Sequence, residues 1–252
     1  MKIRILSDLH LEFYDTLGVC GISDNVACDA VVLAGDIHNG TAGIEWAART
    51  FETPVIYVMG NHEFYAHDAA ELLPHARACA DDLGVYLLER DEAWICGTRF
   101  LGCTLWTGFD AGPIDWIHAT RIAHPVVADF SQIRNSGRLL SPSQMIEWYE
   151  QSLAWLKRNL DATAPTVVVT HFAPTRAVVN PRFGAGDELT PYFHNNLDDL
   201  MGSAAPLWIY GHNHFSADKF VNTETGTTRV ISNQLGYPDE GVQFQVDCIA
   251  NV

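Results

Sequence analysis

The feature that most narrows what this chain can fold into is a repeated juxtaposition of short, β-rich apolar runs with abrupt clusters of Asp, Asn or His. Lys2 to Leu6 is followed by Asp8-Leu9-His10, Ala30 to Ala34 by Gly35-Asp36-Ile37-His38, and Pro54 to Met59 by Gly60-Asn61-His62-Glu63. Later, Thr166 to Thr170 runs into His171, and Leu207 to Tyr210 into Gly211-His212-Asn213-His214. A sixth run, Arg99 to Leu105, has the same apolar character. Runs with so little alternation read as strands covered on both faces, because a strand with one wet face would alternate polar and apolar side chains. In open α/β sheets ligands bind beyond the carboxyl ends of the strands, so polar clusters far apart in sequence can meet in one crevice.

Helical patterns lie between several of these runs, which points to an α/β chain with a mixed sheet or sheets. Helices are expected over Thr41 to Phe51, over His67 to Leu83, where Pro74 should begin, kink or divide the helix, and over Ser141 to Leu160. The last is the best marked. Ser141 can cap it, Pro142 takes the first helical position, Gln144 completes a capping box, and Ile146, Tyr149, Leu153, Leu156 and Leu160 form an apolar stripe. A β-rich end is expected over Lys219 to Ile231, turning at Glu224-Thr225-Gly226. The 252 residues carry no repeat or linker and are read as one domain, 1–252. Within it the stretch at about 106–140 has weak periodicity and many aromatics, and reads as an inserted lid.

Charge and cysteine usage exclude several classes. Fifteen basic against 31 acidic side chains give a formal charge of −16, which offers no groove for a phosphate backbone, so extended nucleic-acid binding is not expected. The six cysteines, Cys20, Cys28, Cys79, Cys96, Cys103 and Cys248, contain no C-x-x-C pair. They exclude a zinc ribbon or a dithiol motif and read as reduced, mostly packed thiols. Asp8 comes too early for a signal peptide, and no run approaches the roughly 20 apolar residues that span a bilayer, so a soluble cytoplasmic protein with no membrane partner is expected. Trp94, Trp148, Trp155 and Trp208 read as packing residues, and His67, His75, His118, His124 and His194 as structural or solvated.

The clustered residues themselves point to metal chemistry. Histidine with oxygen ligands and no thiolate suits manganese, iron, zinc, cobalt or nickel better than an all-oxygen magnesium or calcium site. Seven candidate ligands from these strand-end clusters are too many for one tetrahedral ion. They suit two ions with a shared ligand, and aspartate is the natural bridge because its two oxygens can be divided between two cations. Two divalent cations against Asp8 and Asp36 leave a local charge of about +2, which a hydroxide and a phosphodiester monoanion would neutralise.

The ordered set D-x-H, G-D, G-N-H-E, a lone H and G-H-x-H, spread from Asp8 to His214, resembles the motif series of the calcineurin-like metallophosphoesterases. The resemblance implies a four-layer α-β-β-α sandwich of two mixed β-sheets flanked by helices, with the metal site at the C-terminal strand ends. It further implies that one ion takes Asp8, His10 and His214 and the other Asn61, His171 and His212, with Asp36 bridging. His62 would be the general acid at the leaving-group oxygen. The expected chemistry is then attack of a metal-activated hydroxide on phosphorus, with two divalent transition metal ions as cofactors and manganese the most active in vitro. A small phosphate ester is the expected partner, a diester before a monoester or a nucleotide pyrophosphate. A polynucleotide nuclease ranks below these, and a non-catalytic scaffold is the alternative of another class. His38 and Glu63 adjoin the motifs and can orient ligands. Trp106, Arg134, Arg182 and Asn233 are the expected substrate contacts, with Phe109, Trp116, Asn180 and Ser232 as further candidates, since an arginine there could fork onto phosphate oxygens.

Overall fold

The computed structural model describes residues 1–14, 21–161, 163–164, 166–184 and 186–252; Cys20 lies outside the described residues. Strands and helices alternate through the first half: β1 (Lys2–Leu6), β2 (Ala30–Ala34), α1 (Ala42–Thr50), β3 (Val55–Val58), α2 (Ala69–Leu83), β4 (Tyr86–Leu87), β5 (Asp91–Ile95) and β6 (Thr98–Cys103). Then come α3 (Trp116–Ala123), α4 (Asp129–Gln132), the small hairpin β7 (Arg134–Asn135) and β8 (Arg138–Leu139), and α5 (Pro142–Asn159). The chain ends with β9 (Thr166–Thr170), α6 (Thr190–Phe193), β10 (Leu207–Ile209), β11 (Asp218–Thr223), β12 (Gly226–Ile231) and β13 (Ile249–Asn251).

Two mixed sheets result. One has the order β13-β1-β2-β3-β4, parallel except for β13, and the other β11-β12-β10-β9-β6-β5, parallel except at its two edges. Alternate residues of each strand separate into two apolar cores. Ile3, Ile5, Val32, Ile56, Phe100, Val167, Val169 and Ile209 fill the space between the sheets. Val31, Leu33, Tyr57, Val168 and Trp208 face the other way, into the core shared with Ile44, Leu72, Ala76, Met145 and Leu156 of the helices. This is why the runs read as continuously apolar. The fold is the four-layer α-β-β-α sandwich, with helices outside two packed sheets.

Local detail departs from the sequence reading in three places. The α2 helix runs through Pro74, forgoing the one bond that residue 74 would donate to the carbonyl of Ala70. Its N-terminus is fixed instead by Asp68, whose side chain accepts from the Ala70 N–H at 3.0 Å. In α5 the Ser141 cap is present, but the fully buried face is Met145, Tyr149, Ser152 and Leu156, with Ile146, Leu153 and Leu160 beside it. The Ser152 hydroxyl can lie on that face because it donates to the Trp148 carbonyl at 3.0 Å. Edge strand β5 was not expected, since only Ala93 and Ile95 point inward, and Trp94 is 52% exposed and not a packing residue. Among the described cysteines Cys103 is buried, Cys28, Cys79 and Cys248 are partly buried against the cores and Cys96 is exposed, so most of these free thiols are packed as expected.

Candidate metal centre

Five parallel strands deliver their following loops to one place. Asp8 and His10 follow β1, Asp36 follows β2, Asn61 follows β3, His171 follows β9, and His212 and His214 follow β10. Two groups of ligand atoms form, Asp8 with His10 and His214, and Asp36 with His171 and His212, each within 4.8 Å. His10 Nε2 and His214 Nε2 face one another at 3.1 Å, and His214 Nε2 lies 3.5 Å from Asp8 Oδ1. In the second group Asn61 Oδ1 lies 3.0 Å from His171 Nε2. Asp36 Oδ2 stands between the groups, 3.9 Å from His10 Nε2 and 3.4 Å from His171 Nε2. The fit to cations rests on an atom without a partner: His212 Nε2 is buried with no hydrogen bond among the described residues. An unpaired nitrogen on a buried imidazole that stands beside a carboxylate and a second histidine is costly unless a cation takes it up. The donor set, neutral nitrogen with carboxylate and amide oxygen, suits divalent ions.

Four of the candidate ligands, His10, Asn61, His171 and His214, are held by their other polar atom. Glu12 Oε1 sits 3.2 Å from His10 Nδ1 and 3.0 Å from His62 Nδ1. Glu240 Oε2 is 2.5 Å from His214 Nδ1, and the Ala34 carbonyl 2.9 Å from His171 Nδ1. Asn61 donates its amide to Asp129 Oδ1 at 2.9 Å, which turns its carbonyl oxygen toward His171. Asp129, fully buried, also accepts from Tyr65 and Tyr192. Burial pushes the Glu12 carboxyl up, but hydrogen bonds with His10 and His62 outweigh it and hold it down at about 2. Burial works against protonating His62, and the Asp36 and Glu12 carboxylates raise its pKa above the ordinary range nevertheless.

The backbone is bent to make this possible. Asp8, His10, Asp36, His212 and His214 all have positive φ, between 46° and 76°, a conformation that side chains beyond Cβ rarely adopt. Strain of this kind persists where surrounding bonds over-determine it. Glu63 supplies those bonds for two of the loops: its carboxylate accepts the N–H groups of Asp36, Ile37 and Gly60 and the Tyr57 hydroxyl, at 2.7 to 3.0 Å. Burial and the Asp36 carboxylate push its pKa up to about 7. Glycine is needed at two motif positions because a Cβ on Gly60 would stand 2.2 Å from Asp36 Oδ1, and one on Gly211 2.2 Å from Ser7 Oγ.

A cleft of about 330 Å³ opens over these residues, lined on the outside by Val126, Val127, Ala128, Phe183, Leu189, Phe193 and Tyr237. The Tyr237 hydroxyl reaches His62 Nε2 at 2.9 Å. The lining contains no Lys or Arg among the described residues. None of the four expected substrate contacts lines it. Trp106 is 2% exposed, packed against Phe64, Trp148 and Phe172. Asn233 is equally buried, its side chain spent on Ile5, Gln245 and the Gln245 N–H. Arg134 is exposed and donates to the Gly137 carbonyl at 3.2 Å in the small hairpin. Arg182 is exposed with its guanidinium over the ring of Phe183, so it touches the wall residue rather than the cleft. Phe109 is buried, Trp116 is exposed on α3, Asn180 donates to the Asn213 carbonyl, and Ser232 to that of Tyr210. The 106–140 stretch reaches the cleft through Val126, Val127 and Ala128, and Asp129 behind them bonds the lining residues Asn61, Tyr65 and Tyr192. Glu63 was expected to orient ligands from its place in the third motif, and Glu12 could have been read in the same way from its place beside the first. Asp129, Tyr237 and Glu240 carry no signal of spacing or periodicity.

Strand ends, donor set and cleft fit a divalent metal site, and the family whose sequence model matches makes the chain a metal-dependent phosphoester hydrolase. The chain belongs to the calcineurin-like phosphoesterase family, whose sequence model matches residues 1–216. It is 22% identical over 273 aligned residues to an uncharacterized protein of Acanthamoeba polyphaga mimivirus, covering 96% of this chain and 93% of that protein. Its fold is similar to the crystal structure of the phosphopantetheinyl hydrolase from Mycobacterium tuberculosis, with a TM-score of 0.72 and 22% identity, over 94% of this chain and 90% of that one. No helix among the described residues is long and apolar enough to cross a membrane.

Proposed function

We propose that the chain hydrolyses a phosphodiester at a pair of divalent transition metal ions, one held by Asp8, His10 and His214 and the other by Asn61, His171 and His212, with Asp36 shared. The observation that carries the reading is the place of Asp36, whose Oδ2 lies within 4 Å of a histidine nitrogen from each group. Bound there, two such ions would make water acidic enough to supply a nucleophile near neutral pH and would offset charge growing on the phosphoryl oxygens.

His62 is the candidate general acid. Glu12 anchors its Nδ1, which leaves Nε2 facing the cleft, where the Tyr237 hydroxyl already sits at hydrogen-bond distance. An oxygen can therefore approach that nitrogen from the substrate side. The hydrogen bond to Glu12, which is not among the seven candidate ligands, favours the protonated ring that proton delivery to a leaving alkoxide requires.

Diester preference is supported by what the cleft lacks and by what surrounds it. Among the described residues no guanidinium or ammonium lines it to meet a dianion or a polyphosphate, while Glu12 and Glu240 stand next to the histidines. A monoanion between apolar walls is the better match. The similarly folded enzyme is named for a phosphopantetheinyl group, which makes such esters one class to assay here. The test is hydrolysis of bis(p-nitrophenyl) phosphate beside p-nitrophenyl phosphate by chelator-stripped protein reloaded with manganese, from neutral to alkaline pH. Metal-dependent turnover favouring the diester is expected. Faster monoester turnover would overturn the diester assignment, and two bound ions with no turnover of either would overturn the catalytic one.

A further inference from the structure

Beside the metal cleft lies a second, more enclosed cavity of about 240 Å³. The two share Phe183, Leu189, Phe193 and Asn213 as a common wall, and Val179 lines only the second. Its polar groups are already spent on one another. His194 has Nδ1 on the Thr190 carbonyl at 3.3 Å and Nε2 on the Asn213 amide at 2.9 Å. Asn180 donates to the Asn213 carbonyl and accepts from the Arg182 N–H, and the Thr190 hydroxyl meets the Gly184 carbonyl. Asp187 accepts from the Leu189 N–H at 2.8 Å and is the one carboxylate at the edge, with no Lys or Arg in the lining among the described residues.

What is left facing the space is the apolar surface of Val179, Phe183, Leu189 and Phe193. The cavity has room for on the order of eight waters, which would find few free hydrogen-bond partners and would be expelled at little cost by an apolar group. An anionic group would meet Asp187 and find no cation. We propose that this cavity binds the alcohol arm of the substrate: one ester oxygen of the phosphodiester carries an uncharged, extended and largely apolar chain, which lies along the Phe183–Leu189–Phe193 wall while the phosphate sits over the strand ends. The inference rests on the phosphodiesterase reading above and adds the chemistry of the substrate's second half.

The experiment uses methyl, butyl and hexyl p-nitrophenyl phosphates with the manganese-loaded protein. Burying each methylene should raise kcat/KM roughly two- to fourfold until the cavity is filled. Val179→Trp fills the cavity from the side away from the cleft and should flatten that rise, while Val179→Ala, which removes volume and adds none, should carry the rise to longer chains. A second readout needs no turnover. In saturation-transfer NMR on the chelator-treated protein, methyl hexyl phosphate should receive more saturation on its hexyl protons than on its methoxy protons, and Val179→Trp should abolish the difference. Hydrolysis with no chain-length dependence, or the same dependence in both variants, would overturn the arm site and leave the phosphodiesterase reading standing. Saturation of the hexyl chain without hydrolysis of any ester would support the arm site and overturn that reading.

Discussion

The floor and the outer wall of the cleft are built on opposite terms. In the floor, five residues sit at positive φ, a glutamate is buried to hold three loop N–H groups, and glycines are needed where Asp36 and Ser7 crowd the backbone. The wall is made of Val126, Val127, Phe183, Leu189 and Phe193, ordinary apolar side chains set on short helices and connections. Positions that must aim a lone pair have almost no tolerated alternatives, whereas positions that only shape a surface have many. Substitutions in the floor should therefore be severe and in the wall graded.

The largest effect is expected for Asp36→Asn, which removes one shared anionic oxygen and should cut turnover by roughly 10³-fold or more with loss of bound metal. Metal content by mass spectrometry beside activity checks it, and full metal occupancy would break the assignment of Asp36. Glu63→Gln turns an acceptor into a donor against crowded N–H groups, and should destabilise the fold by about 4 kcal/mol in urea unfolding. An unchanged midpoint would show that the strained loops need no such anchor. His62→Ala should lower kcat by about 10² to 10³ while both ions stay bound; loss of metal with loss of activity would make His62 a support instead.

A pH effect comes next. Burial pulls the His194 pKa down to about 4, below the ordinary value of 6.5, so the folded protein binds fewer protons than the unfolded chain between those values. Stability conferred by the neutral ring is complete above about pH 6.5 and should fall, as pH drops toward 4, by up to about 3 kcal/mol. Urea melts across this range should give a shallower slope for His194→Gln than for the parent; equal slopes would refute the role. The smallest effect should belong to the wall: Val127→Ala should change KM for bis(p-nitrophenyl) phosphate less than about threefold at unchanged metal content. A loss as large as that of His62→Ala would erase the distinction between wall and floor.

The same contrast explains what could be read from the sequence. The four-layer sandwich came from the resemblance of the motif series, whereas the covered strands and the seven residues at their ends were legible because a strand covered on both faces leaves an unmistakable apolar run, and a polar cluster after it has few structural uses. The wall was not, because Val126 to Ala128 and Phe183 to Phe193 belong to segments with no period to extract. Aromatic content drew the expected contacts to Trp106 and Phe109, which are buried under the cleft. Arginines drew them to Arg134 and Arg182, although nothing in a sequence tells a phosphate fork from a side chain lying on its neighbour's ring. Asp129 was hidden for another reason: its job is to turn the amide of Asn61, a contact across 68 positions that no local pattern records.

One consequence follows from where the two ligand groups lie. Asp8, His10, Asp36 and Asn61 come from the sheet containing β1 to β3, whereas His171, His212 and His214 come from the sheet containing β9 and β10. Each group therefore spans the boundary between the layers, so an ion in either one would act as a rivet between two halves that also meet through an oily interface and through hydrogen bonds such as that between His171 Nδ1 and the Ala34 carbonyl. Ion binding to the folded state alone adds about 4 kcal/mol at a thousandfold excess over its dissociation constant. A melting curve of this protein would then also be a titration of whatever metal it holds, and a slip of one sheet past the other would release an ion from either group.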